Sequence, residues 1–142
     1  MNNSETFETA GAASFSSASQ IGSAFDVRAH EGSGGIIGIP DTFIVEHRDL
    51  IIELAARHRL PAVYGIRDFV PSGGLLAYSA DFVAIFHRAA GYVDQVLRGV
   101  RPGELPVQAP DKFTLSINLK AAGAIGLSLP PNLIARADEV IE

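Results

Sequence analysis

The sequence predicts an α/β fold built around a parallel βαβ unit, and three observations lead to it. Gly35 to Ile39 is short, apolar and bounded by glycine and proline, which is typical of a strand buried on both faces. A stretch with apolar residues at helical spacing follows Pro40. A second short apolar strand then runs from Ala62 to Gly65. Two such strands joined by one helix form a parallel pair in a single sheet.

The predicted helix of this unit begins after Pro40, where Asp41 or Thr42 can cap it. It ends before Pro61, because the residue that precedes a proline is pushed out of the helical region. Residues three and four positions apart lie on one face of a helix, and the face predicted to point inward contains Ile44, His47, Ile51, Leu54 and His58.

Beyond the βαβ unit the sequence predicts two more strands and three more helices. Leu75–Tyr78 follows a glycine-rich turn as a third strand, and Ser79 is placed to cap a long helix that ends before Gly99. Lys112 to Leu119 alternates between apolar and polar residues, as a half-buried strand does. Two further helices are expected at 120–126 and 131–141. The apolar stripe of the long helix contains Phe82, Ile85, Phe86, Ala89, Val93, Val96 and Leu97.

The composition divides the chain at residue 34. Residues 1–34 are rich in serine, alanine and glycine and lack a sustained periodicity, so they are expected to form a low-complexity, disordered tail. Two turns of helix around Ile21 and Phe25 are the alternative for part of this segment. Residues 35–142 are expected to form the folded α/β domain.

Charge and composition exclude several classes of function. A net charge of −5 gives no basic surface for nucleic acid. His47 and His58 share a helix face but lie about 16 Å apart, too far for one ion, so no metal is expected. The glycine pairs do not match phosphate-binding loops, and no cofactor is predicted. No apolar run approaches the length of a membrane span, and no export signal is recognised in the sequence as written.

Polar side chains follow the predicted strands, where ligands of parallel sheets gather. Asp41 comes after the first strand; Tyr64 and Arg67 lie at the end of the second, and Tyr78 at the end of the third. Each of these residues has a purely structural alternative. Asp41 can be a helix cap and nothing more, Arg67 a surface charge, and the two tyrosines core residues. The sequence predicts that the four side chains converge on one hollow at this edge of the sheet.

Several stretches resemble the carboxyl half of the ABC transporter substrate-binding protein family, in the branch called tryptophan/tyrosine-type. They include Gly-Gly-Ile-Ile-Gly-Ile-Pro-Asp-Thr-Phe at 34–43, Ser-Gly-Gly-Leu-Leu-Ala-Tyr at 72–78 and Tyr-Val-Asp-Gln-Val-Leu-Arg-Gly at 92–99. The ending Leu-Pro-Pro-Asn-Leu-Ile-Ala-Arg-Ala-Asp-Glu-Val-Ile-Glu at 129–142 extends the resemblance, which covers nearly all of residues 35–142.

The resemblance implies a type I periplasmic-binding-protein fold, here incomplete, in which strands at 75–78 and 113–118 cross between two lobes. It implies a non-enzymatic protein that binds a small organic acid or an aromatic amino acid, with an ABC permease as partner and the periplasm as location. Asp41 would take a ligand ammonium, Arg67 a carboxylate, and Tyr64 and Tyr78 ring faces, with Ser79 and Asn118 near the hinge. On this reading the chain is expected to be a fragment.

Three alternatives stay open on the sequence. Without an export signal the chain could instead be cytoplasmic. The same strand-end carboxylates could serve a flavodoxin-like α/β enzyme, or the chain could be a truncated remnant without a function of its own. The helix at 81–97 would expose its apolar stripe, so homo-oligomerisation through that face is a further expectation.

Overall fold

Five strands form one sheet whose spatial order follows the sequence, in a computed structural model that describes residues 11–31 and 34–142. β1, β2 and β3 are mutually parallel, β4 is antiparallel to β3, and β5 is parallel to β4. The predicted α/β class and its parallel βαβ unit are confirmed. The strands are β1 (Ile36–Gly38), β2 (Ala62–Tyr64), β3 (Leu76–Ala80), β4 (Phe113–Asn118) and β5 (Glu139–Ile141).

One helix precedes β1, and the other helices lie between successive strands along the chain. The single helix predicted after Pro40 is two helices, because the backbone of His47 leaves the helical region at φ −101° and ψ 18°. The helices are α1 (Ala18–His30), α2 (Thr42–Glu46), α3 (Arg48–Arg57), α4 (Phe82–Leu97), α5 (Leu119–Ala124) and α6 (Pro131–Ile134). Short 3₁₀ turns span Arg67–Phe69 and Pro102–Glu104.

The strand register divides the sheet into two faces, because directly paired residues point to the same side. Face A carries the row Tyr64, Ala77, Ser116 and Glu139. The helices α1 and α3 and the 3₁₀ turn at Arg67–Phe69 pack on it. There Tyr64 is 1% exposed and its ring stacks on Phe69, with centroids 4.3 Å apart.

Face B carries the neighbouring row, which contains Ile37, Val63, Leu76 and Ile117. The segment from α5 to Ala137 packs against Leu76 and Ile117 and buries both. Ile37 and Val63 remain 75% and 37% exposed, so the β1 and β2 side of this face is largely uncovered in the described chain.

The amino-terminal helix corrects the expectation of a disordered tail. Ile21 and Phe25 are four residues apart, so they share one face of α1, and both are buried against the core of face A. Asp26 of α1 also lies 3.3 Å from the Nε2 atom of His58, at the end of α3. The rest of the tail prediction falls on residues 1–10 and 32–33, which lie outside the described part of the chain, and on a few residues beside α1.

The last residues of β3 and the first of β4 extend past the ends of β1 and β2 as a two-stranded ribbon, defined here as Tyr78–Ala80 with Phe113–Leu115. The ribbon leads to α4 and to the connector 98–112, which together are called the arm. Tyr92 donates a hydrogen bond of 2.6 Å to the carbonyl of Pro106 in the connector. The described contacts of the arm therefore join α4 mainly to its own connector.

At the base of the arm, Asp81 rather than Ser79 caps α4. Its Oδ1 accepts a 3.0 Å hydrogen bond from the backbone N–H of Ala84, whereas Ser79 lies within β3. The other carboxylate oxygen of Asp81 lies 2.8 Å from Nζ of Lys112. The hydrogen bond from Lys112, together with the cap, lowers the pKa of Asp81 below its usual range.

Two predictions for the carboxyl-terminal third are wrong in part. The sequence predicts that β4 buries one face only, but Ser116 and Asn118 are buried as well as Ile117, and the loop at Val70 contacts Asn118 on the second face. The helix expected at 131–141 ends at Ile134. The backbone N–H of Asp138 then donates to the carbonyl of Leu115 at 2.8 Å, which turns the chain into β5.

Candidate functional site

The carboxyl ends of β1, β2 and β3 define one edge of the sheet, called here the carboxyl rim. β4 and β5 run in the opposite direction, so their amino ends lie at the same edge. Asp41 after β1, Arg67 after β2 and Glu139 at the start of β5 are therefore distributed along the rim. This is the edge at which open α/β sheets bind ligands.

Arg67 forms the best-defined polar contact at the rim. Its Nε and Nη2 atoms donate to the two carboxylate oxygens of Glu139 at 3.1 and 2.9 Å, a bidentate geometry. β3 and β4 lie between β2 and β5 and continue past this edge as the ribbon, so this pair reaches across β3 and β4. The Arg67 side chain remains 53% exposed, which leaves its guanidinium within reach of solvent.

No pattern in the sequence singles out Glu139 as a site residue. It lies 72 residues from Arg67 and falls within the segment predicted to be the last helix. Only an assignment of Glu139–Ile141 as a strand could have brought it to the rim, and the short Glu-Val-Ile run is the one local signal for that assignment.

Asp41 occupies the end of β1 and has a structural role. Its Oδ1 accepts a 2.8 Å hydrogen bond from the backbone N–H of Phe43, so it caps α2 as one alternative predicted. The side chain is exposed, and its second oxygen has no hydrogen-bond partner within the described residues. Phe43 and Ile44 then pack against the core of face A, which directs α2 back over that face.

The two tyrosines do not meet. Tyr64 is in the core of face A, where burial raises the pKa of its hydroxyl to about 12. Tyr78 is on face B, is 56% exposed, and stacks on Phe113 with ring centroids 5.4 Å apart. The structure therefore does not bring Asp41, Tyr64, Arg67 and Tyr78 into one hollow, because alternate residues of a strand point to opposite faces.

Ser79 and Asn118 lie at opposite ends of the central strands. Ser79 belongs to the ribbon, where its Oγ is 3.3 Å from Oγ1 of Thr114. Asn118 is paired near the start of β3, about 13 Å along β4 from Thr114. There its side chain accepts from the N–H of Ala121 and donates to the carbonyl of Val70, so it caps α5 and holds a loop.

The rim is an open surface in the described chain. A cavity of about 90 Å³ lies between α3, Gly74 and α5, and another of about 140 Å³ lies between α4 and the connector. Neither is lined by Asp41, Arg67 or Glu139. Within residues 11–31 and 34–142 no group of three or more histidine, cysteine or acidic side chains is placed to hold a metal ion. In the same ranges no helix is both long and apolar enough to span a bilayer.

Solved structures with similar folds come from three bacteria. A conserved domain protein from Vibrio cholerae matches with a TM-score of 0.77 at 28% identity, over 87% of this chain and 41% of that one. An ABC domain from Streptococcus pneumoniae, solved in complex with L-Trp, matches with a TM-score of 0.74 at 24% identity, over 88% and 43%. A ligand-free, open substrate-binding protein with adhesive properties from Clostridium difficile gives 0.65 and 13%, over 89% and 42%.

This chain therefore spans about two fifths of the length of these solved proteins, and the shared fold is that of a periplasmic-binding-protein lobe. No curated protein matches the sequence. The family model described as ABC transporter substrate binding protein matches residues 11–141, a span that contains α1 and all five strands described above. The resemblance predicted from the sequence is confirmed, and the chain belongs to the ABC transporter substrate-binding protein family.

Proposed function

We propose that this chain is the solute-binding component of an ABC-type uptake system and has no enzymatic activity. Its ligand is a small solute that carries a carboxylate, and Arg67 at the carboxyl rim binds that carboxylate. Family membership supports the class of function. The bidentate contact between Arg67 and Glu139 supports the site, because it presents a guanidinium already oriented for a carboxylate.

Glu139 occupies the position that a ligand carboxylate would take. Two donors of Arg67 contact Glu139, and a guanidinium has five, so a ligand can share the group or displace Glu139. Both side chains are partly exposed, and such ion pairs contribute only about 0–1 kcal/mol. A ligand carboxylate that displaces Glu139 therefore loses little free energy.

Asp41 makes an amino acid the favoured class of ligand. One of its oxygens caps α2, and the other is available to accept from a ligand ammonium. The Streptococcus pneumoniae protein of similar fold was solved with L-Trp, which fits a ligand with both charges and an aromatic ring.

The experiment compares one ligand with two analogues that each lack a charge. L-tryptophan, tryptamine without the carboxylate, and indole-3-propionate without the ammonium are titrated calorimetrically, after a thermal-shift screen of other amino acids and organic acids. Arg67→Ala is expected to weaken L-tryptophan by up to about 5-fold, since an ion pair on an open surface contributes about 0–1 kcal/mol. The same change should leave tryptamine unaffected.

Matched variants separate binding from folding. Arg98→Ala removes an exposed arginine from the arm and should leave the affinity unchanged. Asp41→Asn keeps a helix cap but removes the negative charge, so it should weaken L-tryptophan and spare indole-3-propionate. Glu139→Gln removes the competing carboxylate and should raise the affinity for ligands that carry one. If none of the Arg67, Asp41 and Glu139 variants changes the affinity of any bound solute, the proposed site is wrong.

The open rim predicts weak binding by this chain. Ligand sites normally bury most of the ligand surface, whereas the described residues offer a surface on one side. By family resemblance we place the protein in the periplasm or outside the cell, with an ABC permease as its partner. Tyr78→Ala, which changes the opposite face of the sheet, should leave the affinity for L-tryptophan unchanged.

A further inference from the structure

A buried hydroxyl without a partner lies in the row of face A that ends at the carboxyl rim. Ser116 is 1% exposed, and its Oγ atom is buried with no hydrogen-bond partner within the described part of the chain. Buried polar groups in native proteins are nearly always hydrogen-bonded, so this exception needs a physical reason. The described residues already enclose the hydroxyl, so its burial does not depend on any further segment.

The two neighbours of Ser116 along β4 are engaged elsewhere. Side chains two residues apart on a strand share a face, so these neighbours are Thr114 and Asn118. The Oγ1 atom of Thr114 lies 3.3 Å from Oγ of Ser79. The side chain of Asn118 caps α5 and donates to the carbonyl of Val70. Neither side chain contacts the Ser116 hydroxyl.

The two neighbours of Ser116 across the sheet are Ala77 on β3 and Glu139 on β5, and both are directly paired with it. Alanine has no polar side-chain atom. Glu139 has two carboxylate oxygens, and both accept from Arg67. Neighbouring strands lie about 4.8 Å apart, so the Ser116 hydroxyl can reach the carboxylate of Glu139 once Arg67 releases it.

We propose that Ser116 is a positioning residue that gives Glu139 a second hydrogen-bonded position. In the ligand-free chain Glu139 accepts from Arg67, and the Ser116 hydroxyl has no partner within the described residues. When a ligand carboxylate binds Arg67, the carboxylate of Glu139 turns to Ser116 and accepts a hydrogen bond from its O–H. This inference rests on the proposed function, because it requires a ligand that displaces Glu139 from Arg67.

The second position lowers the cost of displacing Glu139. The Glu139 side chain is 32% exposed, so a carboxylate released from Arg67 is only partly hydrated. A partly buried charge without a hydrogen bond is unfavourable, and the Ser116 hydroxyl supplies one while gaining a partner itself.

Ser116 thereby adds to the selectivity of the site. A ligand with a carboxylate displaces Glu139 and brings the Ser116 hydroxyl into a hydrogen bond. A ligand without a carboxylate leaves Glu139 on Arg67, so it gains nothing from Ser116. The contribution of Ser116 is therefore confined to ligands that carry a carboxylate.

A double-mutant cycle tests the contact between Ser116 and Glu139 without a ligand. Arg67→Ala releases Glu139, so in that background Ser116→Ala should remove a hydrogen bond and lower the urea midpoint. In the unmodified chain Ser116→Ala should leave the midpoint unchanged or raise it, because it removes a buried hydroxyl that has no partner among the described residues. Ser23→Ala, at an exposed position of α1, is the control and should have the same effect in both backgrounds.

Titration of L-tryptophan tests the role of Ser116 in binding. Ser116→Ala should weaken L-tryptophan about 2- to 5-fold, the effect of one net hydrogen bond, and should leave tryptamine unaffected. In the Glu139→Ala background no carboxylate needs a second position, so Ser116→Ala should leave the affinity for L-tryptophan unchanged. A merely structural effect of Ser116 would be the same in the presence and the absence of Glu139.

The two tests separate this inference from the proposed function. If Ser116→Ala changes the urea midpoint equally in the unmodified chain and in the Arg67→Ala background, the second position of Glu139 is wrong and the proposed function stands. A loss of affinity that persists in the Glu139→Ala background would overturn the inference in the same way. If Arg67→Ala leaves the affinity for L-tryptophan unchanged, the proposed site is wrong, and the ligand-free cycle still decides whether Ser116 and Glu139 make contact.

Discussion

The helices α3 and α4 show how two similar patterns reach different environments. Both have apolar residues at helical spacing, and both follow a strand of the same sheet. α3 buries Ile51, Leu54 and Ala55, whereas α4 buries no residue at all. The difference lies in what surrounds each helix within residues 11–31 and 34–142, because α3 packs on face A together with α1, whereas α4 contacts mainly the connector.

The two faces of the sheet repeat this contrast. On β2, Tyr64 points to face A and is 1% exposed, while its neighbour Val63 points to face B and is 37% exposed. An apolar side chain therefore indicates that a surface would gain stability from being covered, about 25 cal/mol for each Å². Whether it is covered depends on elements that the side chain itself does not specify.

The largest difference in stability between the two environments is expected from a pair of phenylalanine truncations. Phe69→Ala removes a ring that is 1% exposed and stacked on Tyr64, so it should lower the free energy of unfolding by about 3–5 kcal/mol. Phe86→Ala removes a ring that is 72% exposed, and it should change stability by about 0.5 kcal/mol or less. Urea unfolding at low protein concentration measures the free energy of unfolding of both variants. Equal losses would show that α4 is packed in solution.

The pairing of β1 with β2 was predictable because both strands are short, apolar and bounded by glycine or proline. The same reasoning failed for α1, since only Ile21 and Phe25 distinguish it from a flexible segment, and their burial depends on the sheet beneath them. It also failed for β5, where Glu139–Ile141 is too short to show a period and becomes a strand through its pairing with β4.

The candidate site was predictable at the level of the rim but not at the level of its contacts. Strand ends correctly brought Asp41 and Arg67 to one edge of the sheet. The partner of Arg67, Glu139, was missed because the contact joins residues that are far apart in sequence. Tyr64 and Tyr78 were expected together because both are near strand ends, yet the register of β2 and β3 places them on opposite faces.

A smaller effect is expected from two glycine-to-alanine changes. A methyl group at Gly74 would lie 2.7 Å from the carbonyl oxygen of Phe69 and 2.8 Å from Cε2 of Tyr64, so Gly74→Ala should destabilise by about 1–3 kcal/mol. Gly91 lies within α4 with no atom near the added methyl group, and Gly91→Ala should stabilise by about 0.5–1 kcal/mol. The shift of the thermal unfolding midpoint shows whether each variant is stabilised or destabilised. A stabilising Gly74→Ala would contradict the close packing beneath the 3₁₀ turn.

The smallest effect at neutral pH is expected for Tyr64→Phe, and it becomes visible only in alkali. Burial raises the pKa of Tyr64 to about 12, against roughly 10 in an unfolded chain, so the buried phenol keeps its proton where the unfolded one loses it. The stability that this group contributes is fully present below pH 10 and is lost as the pH rises from 10 to 12. Tyr64→Phe should remove this loss, whereas Tyr78→Phe, at an exposed position, should retain it. Urea midpoints at pH 8, 10 and 11 make the comparison, and a Tyr64→Phe variant that loses stability as steeply as the unmodified chain would show that the phenol is not buried in the core of face A.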